Sequence, residues 1–218
     1  MTRVKICGIS DIASALVAAE AGAHAIGLIF AKSRRQVTLE RAREITASLP
    51  PFVAKVGVFV DEDRGRVTEI VEAAGLDTVQ LHGQESPDYC AAMPVPVVKA
   101  IRVKNAASLS VLAGYRVAAF LLDTYDPEVM GGTGRPFDWS LAAEARRGHP
   151  VILSGGLNPG NVVEGLERVR PFGVDVSSGV ETDGRKDHAK IRGFIRRVRE
   201  WDVTYGSAEA QERGSAIR

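Results

Sequence analysis

Short β-branched or apolar runs alternate with helix-like segments along the whole chain, and this alternation constrains the fold more than any other feature. The runs are Val4–Ile9, Ala25–Phe30, Ala54–Val60, Thr78–His82, Val97–Arg102, Ala118–Asp123, Val151–Ser154 and Val174–Ser177. Between them lie an Ala-rich stretch, Asp11–Ala21, which Ser10 or Asp11 can cap, a helix opening at Thr38, and Arg64–Ala74. A short helix begins near Ser86-Pro87, where proline suits the first turn. Further helices fall near Ala106–Leu112, Trp139–Arg147, Asn161–Val169 and Asp187–Trp201. Strands separated by helices pair in parallel through right-handed crossovers, and eight is the number that closes a barrel filled with side chains. The expected fold is therefore an α/β chain of one domain, a (β/α)8 or TIM barrel over residues 1–201. Residues 202–218 form a polar C-terminal tail, loose or frayed from a helix. A doubly wound open sheet would need a nucleotide-type glycine turn after the first strand, and Cys7-Gly8-Ile9-Ser10 is not one.

Charge and composition exclude several classes of function. With 28 basic against 27 acidic residues, no general attraction to nucleic acid or to an anionic membrane is expected. Any anion must be caught locally, by a particular loop. No apolar stretch approaches the roughly 18 residues of a membrane span, and no signal-peptide pattern is present. The two cysteines, Cys7 and Cys90, stand in unlike contexts and cannot by themselves form a disulfide framework or a zinc site. The expectation is a reduced, cytoplasmic protein.

In a parallel barrel the functional groups gather at the C-terminal ends of the strands. Alternation puts Lys5 and Cys7 on one face of the first strand, Gln80 and His82 on one face of the fourth, and Asp175 and Ser177 on one face of the eighth. The apolar partners must face the helices, so the polar set faces the barrel axis, where an unsatisfied group costs roughly 1–3 kcal/mol. Lys5, lower in the barrel, reads as a paired structural charge. Cys7 is either an inert buried thiol or a reactive one, and Asp123 either caps the following loop or projects into the mouth. His82 is either a hydrogen-bonded core residue or part of the site. Cys90, in a short helix, reads as packing.

Two loops have the composition of a phosphate grip. Ser154-Gly155-Gly156-Leu157-Asn158-Pro159 follows the seventh strand and Ser177-Ser178-Gly179-Val180-Glu181 the eighth. Glycines let backbone N–H groups approach an anion closely, and these two loops are where this fold commonly holds phosphate. The second loop carries three cations, Lys32, Arg34 and Arg35, which suit a carboxylate or phosphate or simply face solvent. Residues 124–139 make a long, glycine-rich sixth loop containing Gly131-Gly132-Thr133-Gly134, consistent with a lid.

With these pieces placed, the chain closely resembles the phosphoribosylanthranilate isomerases of tryptophan biosynthesis. The resemblance is carried by Lys5-Ile6-Cys7-Gly8-Ile9, Gly27-Leu28-Ile29-Phe30 with Ser33-Arg34-Arg35, Val79-Gln80-Leu81-His82-Gly83 and Lys99-Ala100-Ile101-Arg102. It continues through Leu121-Leu122-Asp123, Phe137-Asp138-Trp139, Leu153-Ser154-Gly155-Gly156-Leu157 and Val174-Asp175-Val176-Ser177-Ser178-Gly179-Val180-Glu181. It implies an Amadori rearrangement of N-(5-phosphoribosyl)anthranilate to the 1-deoxyribulose product, with Cys7 as general base and Asp123 as general acid. It also implies an anthranilate-contacting arginine at Arg35, with Arg34 as the alternative. Asp175 and His82 would reach the substrate, and Gly155, Gly156, Ser177 and Ser178 would hold its phosphate.

The substrate nitrogen serves as electron sink in such a reaction, so no cofactor is called for. Cys7 would need a lowered pKa to be a thiolate near neutrality, and Asp123 would have to carry a proton at the same pH. The only partner expected is the small phosphorylated substrate, with the chain a monomer or homodimer. Rival phosphate-gripping barrels would need a catalytic lysine and glutamate set, or a metal-holding His/Asp arrangement, and neither is found. A dual-substrate isomerase would grip two phosphates and use paired aspartates. A non-catalytic sensor would have no need of both Cys7 and Asp123.

Overall fold

The computed structural model describes residues 1–124, 138–146 and 148–215, with the side chains of all of these except 206–215. The strands are β1 (Arg3–Cys7), β2 (Ala25–Ile29), β3 (Ala54–Phe59), β4 (Thr78–Leu81), β5 (Val97–Val103), β6 (Ala119–Thr124), β7 (Val151–Leu153) and β8 (Gly173–Val176). They pair in chain order as a closed barrel, all parallel, with β8 returning to β1 through Val4↔Val174 and Lys5↔Asp175. The helices are α1 (Ile12–Glu20), α2 (Leu39–Ser48), α3 (Arg64–Ala74), α4 (Pro87–Ala91), α5 (Trp139–Ala145), α6 (Val162–Val169) and α7 (His188–Ser215).

The local chemistry of the helix starts is that of the sequence. Asp11, Thr38, Asp63 and Ser86 each accept the backbone N–H three residues on, at 2.7–3.2 Å, a cap that contributes on the order of 1 kcal/mol. Of the two caps considered for α1, Asp11 is the one in place.

Strand alternation sorts the core into two layers. The outward set, including Ile6, Leu28, Val79, Leu81, Leu122 and Val174, packs against the helices. Inside the barrel Val98, Ala100, Ala119 and Leu121 pack together with Ile152. Above this plug the inward residues become polar, which raises the site on a solid floor.

The helix expected over Ala106–Leu112 is instead two 3-10 turns, Ala106–Leu109 and Leu112–Gly114. The Ser108 hydroxyl accepts from the N–H groups of Lys104 and Asn105, and the Ser110 hydroxyl donates to the Ala107 carbonyl. Such local side-chain bonds compete with α-helical ones. The last helix runs on through the stretch read as a tail, to Ser215. Trp201 and Tyr205 stack at 4.8 Å and Arg170 lies 4.5 Å over the Tyr205 ring, contacts that carry the helix past Trp201. After β8 a hairpin of β9 (Glu181–Thr182) and β10 (Arg185–Lys186) was not anticipated. Asp183 and Gly184 both have positive φ (50° and 77°), the geometry of a two-residue Asp-Gly turn.

Candidate active site

At the C-terminal ends of the strands lies a cavity of about 500 Å³. Cys7, Arg35, His82, Asp123, Gly155, Gly156, Asp175, Ser177 and Ser178 all line it. Cys7 ends β1 and Asp123 lies near the end of β6, and in the closed ring these strands are separated by β7 and β8 on the short side. The thiol and the carboxylate thus enter one space from different sides.

Cys7 is buried beside a pair of opposite charges. Lys5, two residues below it on the same face, donates to Asp175 Oδ1 at 2.8 Å, and Ser154 Oγ donates to Asp175 Oδ2 at 3.3 Å. Lys5 is thus the paired charge expected, and Asp175 is held at both oxygens while also lining the cavity. Burial pushes the Cys7 thiol above its ordinary range, against the pull of the Lys5 ammonium; Asp175 adds to the rise and Lys186 opposes it. Burial alone would lower Lys5, but the Asp175 carboxylate and then Cys7 outweigh it and raise it to about 12. The Asp175 carboxylate thus favours the ammonium form of Lys5.

Asp123 is positioned by its neighbours in chain and ring. Its Oδ1 accepts the N–H of Thr124 at 2.9 Å, and Oδ2 lies 3.3 Å from His82 Nε2. That approach has poor hydrogen-bond alignment, so among the described residues Nε2 has no hydrogen-bond partner. Gln80 Nε2 sits 3.1 Å from His82 Nδ1. If the amide donates there, the ring proton belongs on Nε2, toward Asp123. Gly155 (φ +82°) has no room for a side chain: a Cβ would stand 2.9 Å from Asp123 Oδ1. Glycine at this place lets the seventh loop close onto the carboxylate.

The seventh and eighth loops also press on each other. A Cβ on Gly179 would run into the Leu157 carbonyl, so the glycine-rich segments form one continuous wall. Behind it the β9–β10 hairpin supplies two groups to which sequence reasoning gave no role of their own. Glu181, quoted only as the last residue of the eighth-strand loop and in the resemblance, is nearly enclosed by cations: Arg35 at 2.6 and 2.9 Å, Lys186 at 2.8 Å and Arg34 at 2.8 Å. Lys186 was not singled out at all, and it also donates to the Ser177 carbonyl at 2.9 Å. Burial raises Glu181 but hydrogen bonds from Arg35 and Lys186 outweigh it and hold the carboxyl below its ordinary range. Burial draws Lys186 below the usual lysine value, with Glu181 opposing. The signal for the hairpin was the Asp183-Gly184 turn between Glu181-Thr182 and Arg185-Lys186.

Geometry separates the two arginines of the second loop. Arg35 lines the cavity, its side chain 16% exposed, whereas the Arg34 side chain is 59% exposed. Gly8 (φ +72°) makes room for Arg35, whose Cδ would lie 2.6 Å from a Cβ there. Gly131-Gly132-Thr133-Gly134, read as part of a lid, lies outside the described residues.

A thiol, a carboxylate with an imidazole beside it, and a cluster of cations facing one barrel mouth define a (β/α)8-barrel of the enzyme kind. The family model described as N-(5'-phosphoribosyl)anthranilate (PRA) isomerase matches residues 4–197. A relative of that name from Geobacter sulfurreducens is 52% identical over 203 residues, covering 92% of this chain and all (100%) of the relative. A crystal structure of the isomerase from Thermotoga maritima superposes with a TM-score of 0.86 at 44% identity, covering 92% of this chain and 100% of that one. A second structure of it, of monomers generated from the dimeric enzyme, gives 0.83 at 41% identity with the same coverage of 92% and 100%. The chain belongs to the N-(5'-phosphoribosyl)anthranilate isomerase family and is an isomerase of the aldose–ketose type.

Proposed function

We propose that the chain converts N-(5'-phosphoribosyl)anthranilate to its 1-deoxyribulose isomer, with Asp123 as general acid and Cys7 as general base. The observation that carries this reading is the placement of the two groups on β1 and β6, lining one cavity walled by the glycine-rich seventh and eighth loops. Asp123 gives its proton to the ring oxygen as the C1–O bond breaks, and the nitrogen lone pair forms the C1–N double bond of an iminium. The Cys7 thiolate then removes the C2 proton, whose electron pair moves toward nitrogen, and the enolamine tautomerises to the ketone. Gly155, Gly156, Ser177 and Ser178 hold the phosphate, with the Lys186 ammonium behind Ser177. Arg35 receives the anthranilate carboxylate, and two of its three guanidinium nitrogens are already fixed by Glu181. His82 orients Asp123 from its imidazole edge, and Asp175 meets the substrate from the floor. Binding energy gathered at the phosphate, remote from the reacting carbons, serves to orient them.

The test is steady-state kinetics on purified variants, following loss of substrate fluorescence. Cys7→Ala and Asp123→Asn should each lower kcat by on the order of 10² or more. Near-normal turnover in either would remove that residue from its role. Because burial raises the free-enzyme thiol and the base must be deprotonated, the residual kcat/KM of Asp123→Asn, in which no acid has to stay protonated, should still be rising with pH through about 8.5, the ordinary thiol value. A profile of that variant already flat below that pH would contradict Cys7 as the base.

A second reading concerns assembly, and we propose a homodimer. Phe52 is fully exposed (101%) at positive φ (70°) at the N-terminal end of the barrel, after Pro50-Pro51. It borders an apolar cavity of about 320 Å³ whose lining includes Val98, Ile152 and Phe172. The dimeric Thermotoga relative supports the same reading.

A further inference from the structure

The acid/base scheme leaves a buried charged group beside Cys7 unused. Lys5 is 6% exposed and Asp175 5%, and their ion pair sits in the floor of the mouth. A buried ion pair is a weak source of stability, since well-packed apolar residues of similar volume often serve as well or better. What such a pair does supply is a charge fixed in place.

The register shows where that charge is aimed. Lys5 pairs with Ala25 and Cys7 with Gly27, so both side chains rise on the inner face of β1 beside a strand that offers them almost no side-chain bulk. A Cβ on Gly27 would lie 2.8 Å from Cys7 Sγ and 3.1 Å from Lys5 Nζ. Sulfur and ammonium therefore converge on the space that glycine leaves open, within the range over which one charge controls the ionisation of another. Asp175, held at its other oxygen by Ser154 just past the end of β7, keeps the ammonium from swinging away. The other charged groups around the thiol are placed differently. Lys186 comes in from β10 but is bonded to Glu181 and to the Ser177 carbonyl, and Arg35 is committed to the same carboxylate. His82, Arg102 and Asp123 line the same cavity from β5, β6 and the loop after β4.

We propose that Lys5 is a positioning residue for the reaction: its buried ammonium, anchored by Asp175 over Gly27, is the fixed counter-charge of the Cys7 thiolate. This rests on the reading of Cys7 as the base. Lys5 keeps its proton throughout, and the proton leaving Cys7 goes to water through the open mouth. The charge offsets part of what burial costs the anion, so a thiol in an enclosed site can still ionise. Asp175 works in the opposite sense, and its presence sets how far the offset goes.

The experiment measures ionisation of Cys7 itself, by the pH dependence of iodoacetamide alkylation and of thiolate ultraviolet absorbance, in a Cys90→Ala background. Lys5→Met should raise the midpoint by about one unit or more, the usual scale for losing an adjacent opposite charge, and so reduce the thiolate fraction near neutrality roughly tenfold. Asp175→Asn should lower the midpoint. Opposite signs from two partners of one ion pair are not what loosened packing would produce. Lys5→Met strands a buried carboxylate and can unfold the chain, so Lys5→Met/Asp175→Asn, which restores neutrality, is compared with Asp175→Asn alone. The double variant should have the higher midpoint of the two. Equal midpoints in that folded pair overturn the proposal. The base assignment fails separately: an active Cys7→Ala variant would sink it while leaving these midpoint shifts intact.

Discussion

Glu181 shows how much of this mouth depends on a residue that need not touch the substrate. Three cations converge on its carboxylate; of these Arg35 lines the cavity and Lys186 holds the carbonyl of Ser177, which lines it. Replacing it with glutamine keeps the shape but removes the charge that fixes both. Glu181→Gln should raise KM by roughly tenfold, the equivalent of about 1.4 kcal/mol of lost orientation, with a smaller effect on kcat. Unchanged KM would mean that Arg35 holds its pose unaided. The pH sign follows from the depressed carboxyl. Its stabilising contribution is complete above the ordinary glutamate value of about 4.3 and is lost as pH falls through the lower folded value. Acid unfolding curves of wild type and Glu181→Gln should therefore converge at low pH. From sequence, Cys7, Asp123 and the glycine pair could be placed because strand ends and glycine have fixed meanings in a parallel barrel. Glu181 and Lys186 could not be read together, because their partnership depends on the hairpin from Glu181 to Lys186 folding them onto Arg35, which lies more than a hundred positions away.

At the scale of elements, the eight strands were legible because period-2 alternation and apolar runs are local signals. The 3-10 turns after β5 were less so, since Ala106–Leu112 has the composition of a helix while its serines bond backwards to the chain. Lys99 lies on the outward face of β5 and is 2% exposed. Its ammonium donates to Glu85 at 3.0 Å and to the carbonyls of Leu81, Gly83 and Ala100. Glu85 in turn accepts the N–H groups of Asp61 and Gly83. One buried pair thus ties the third, fourth and fifth strands together just behind His82, although in the sequence Lys99 was only part of a resemblance. Lys99→Met should destabilise the fold by about 3–5 kcal/mol, because it leaves Glu85 buried without its counter-charge. Lys99→Met/Glu85→Gln should recover much of that loss. Urea unfolding of the two variants decides it, and an undiminished midpoint in the single variant would show that the loops hold without the pair.

Among the described residues the candidate site lies at one end of the molecule and the most exposed large apolar side chain, Phe52, at the other. Phe52 stands clear of its own chain, and the cavity beside it, on the far side of the barrel plug from the mouth, includes Val98, Ile152 and Phe172 in its lining. A free phenyl ring forfeits roughly 1.5–3 kcal/mol of burial, and a second copy related by a two-fold axis would recover that at two equivalent places, since such an interface is self-complementary. A monomer–dimer equilibrium governed by Phe52 is therefore expected, measured by sedimentation or light scattering across a range of concentrations. Phe52→Asp places a charge in each apolar contact and should shift the protein to monomer. Turnover should be unchanged, because the substituted loop precedes β3 at the end of the barrel opposite Cys7 and Asp123. Loss of activity on conversion to monomer would mean that the partner supports the mouth through the barrel wall. A wild type that sediments as a monomer at every concentration would remove the interface altogether.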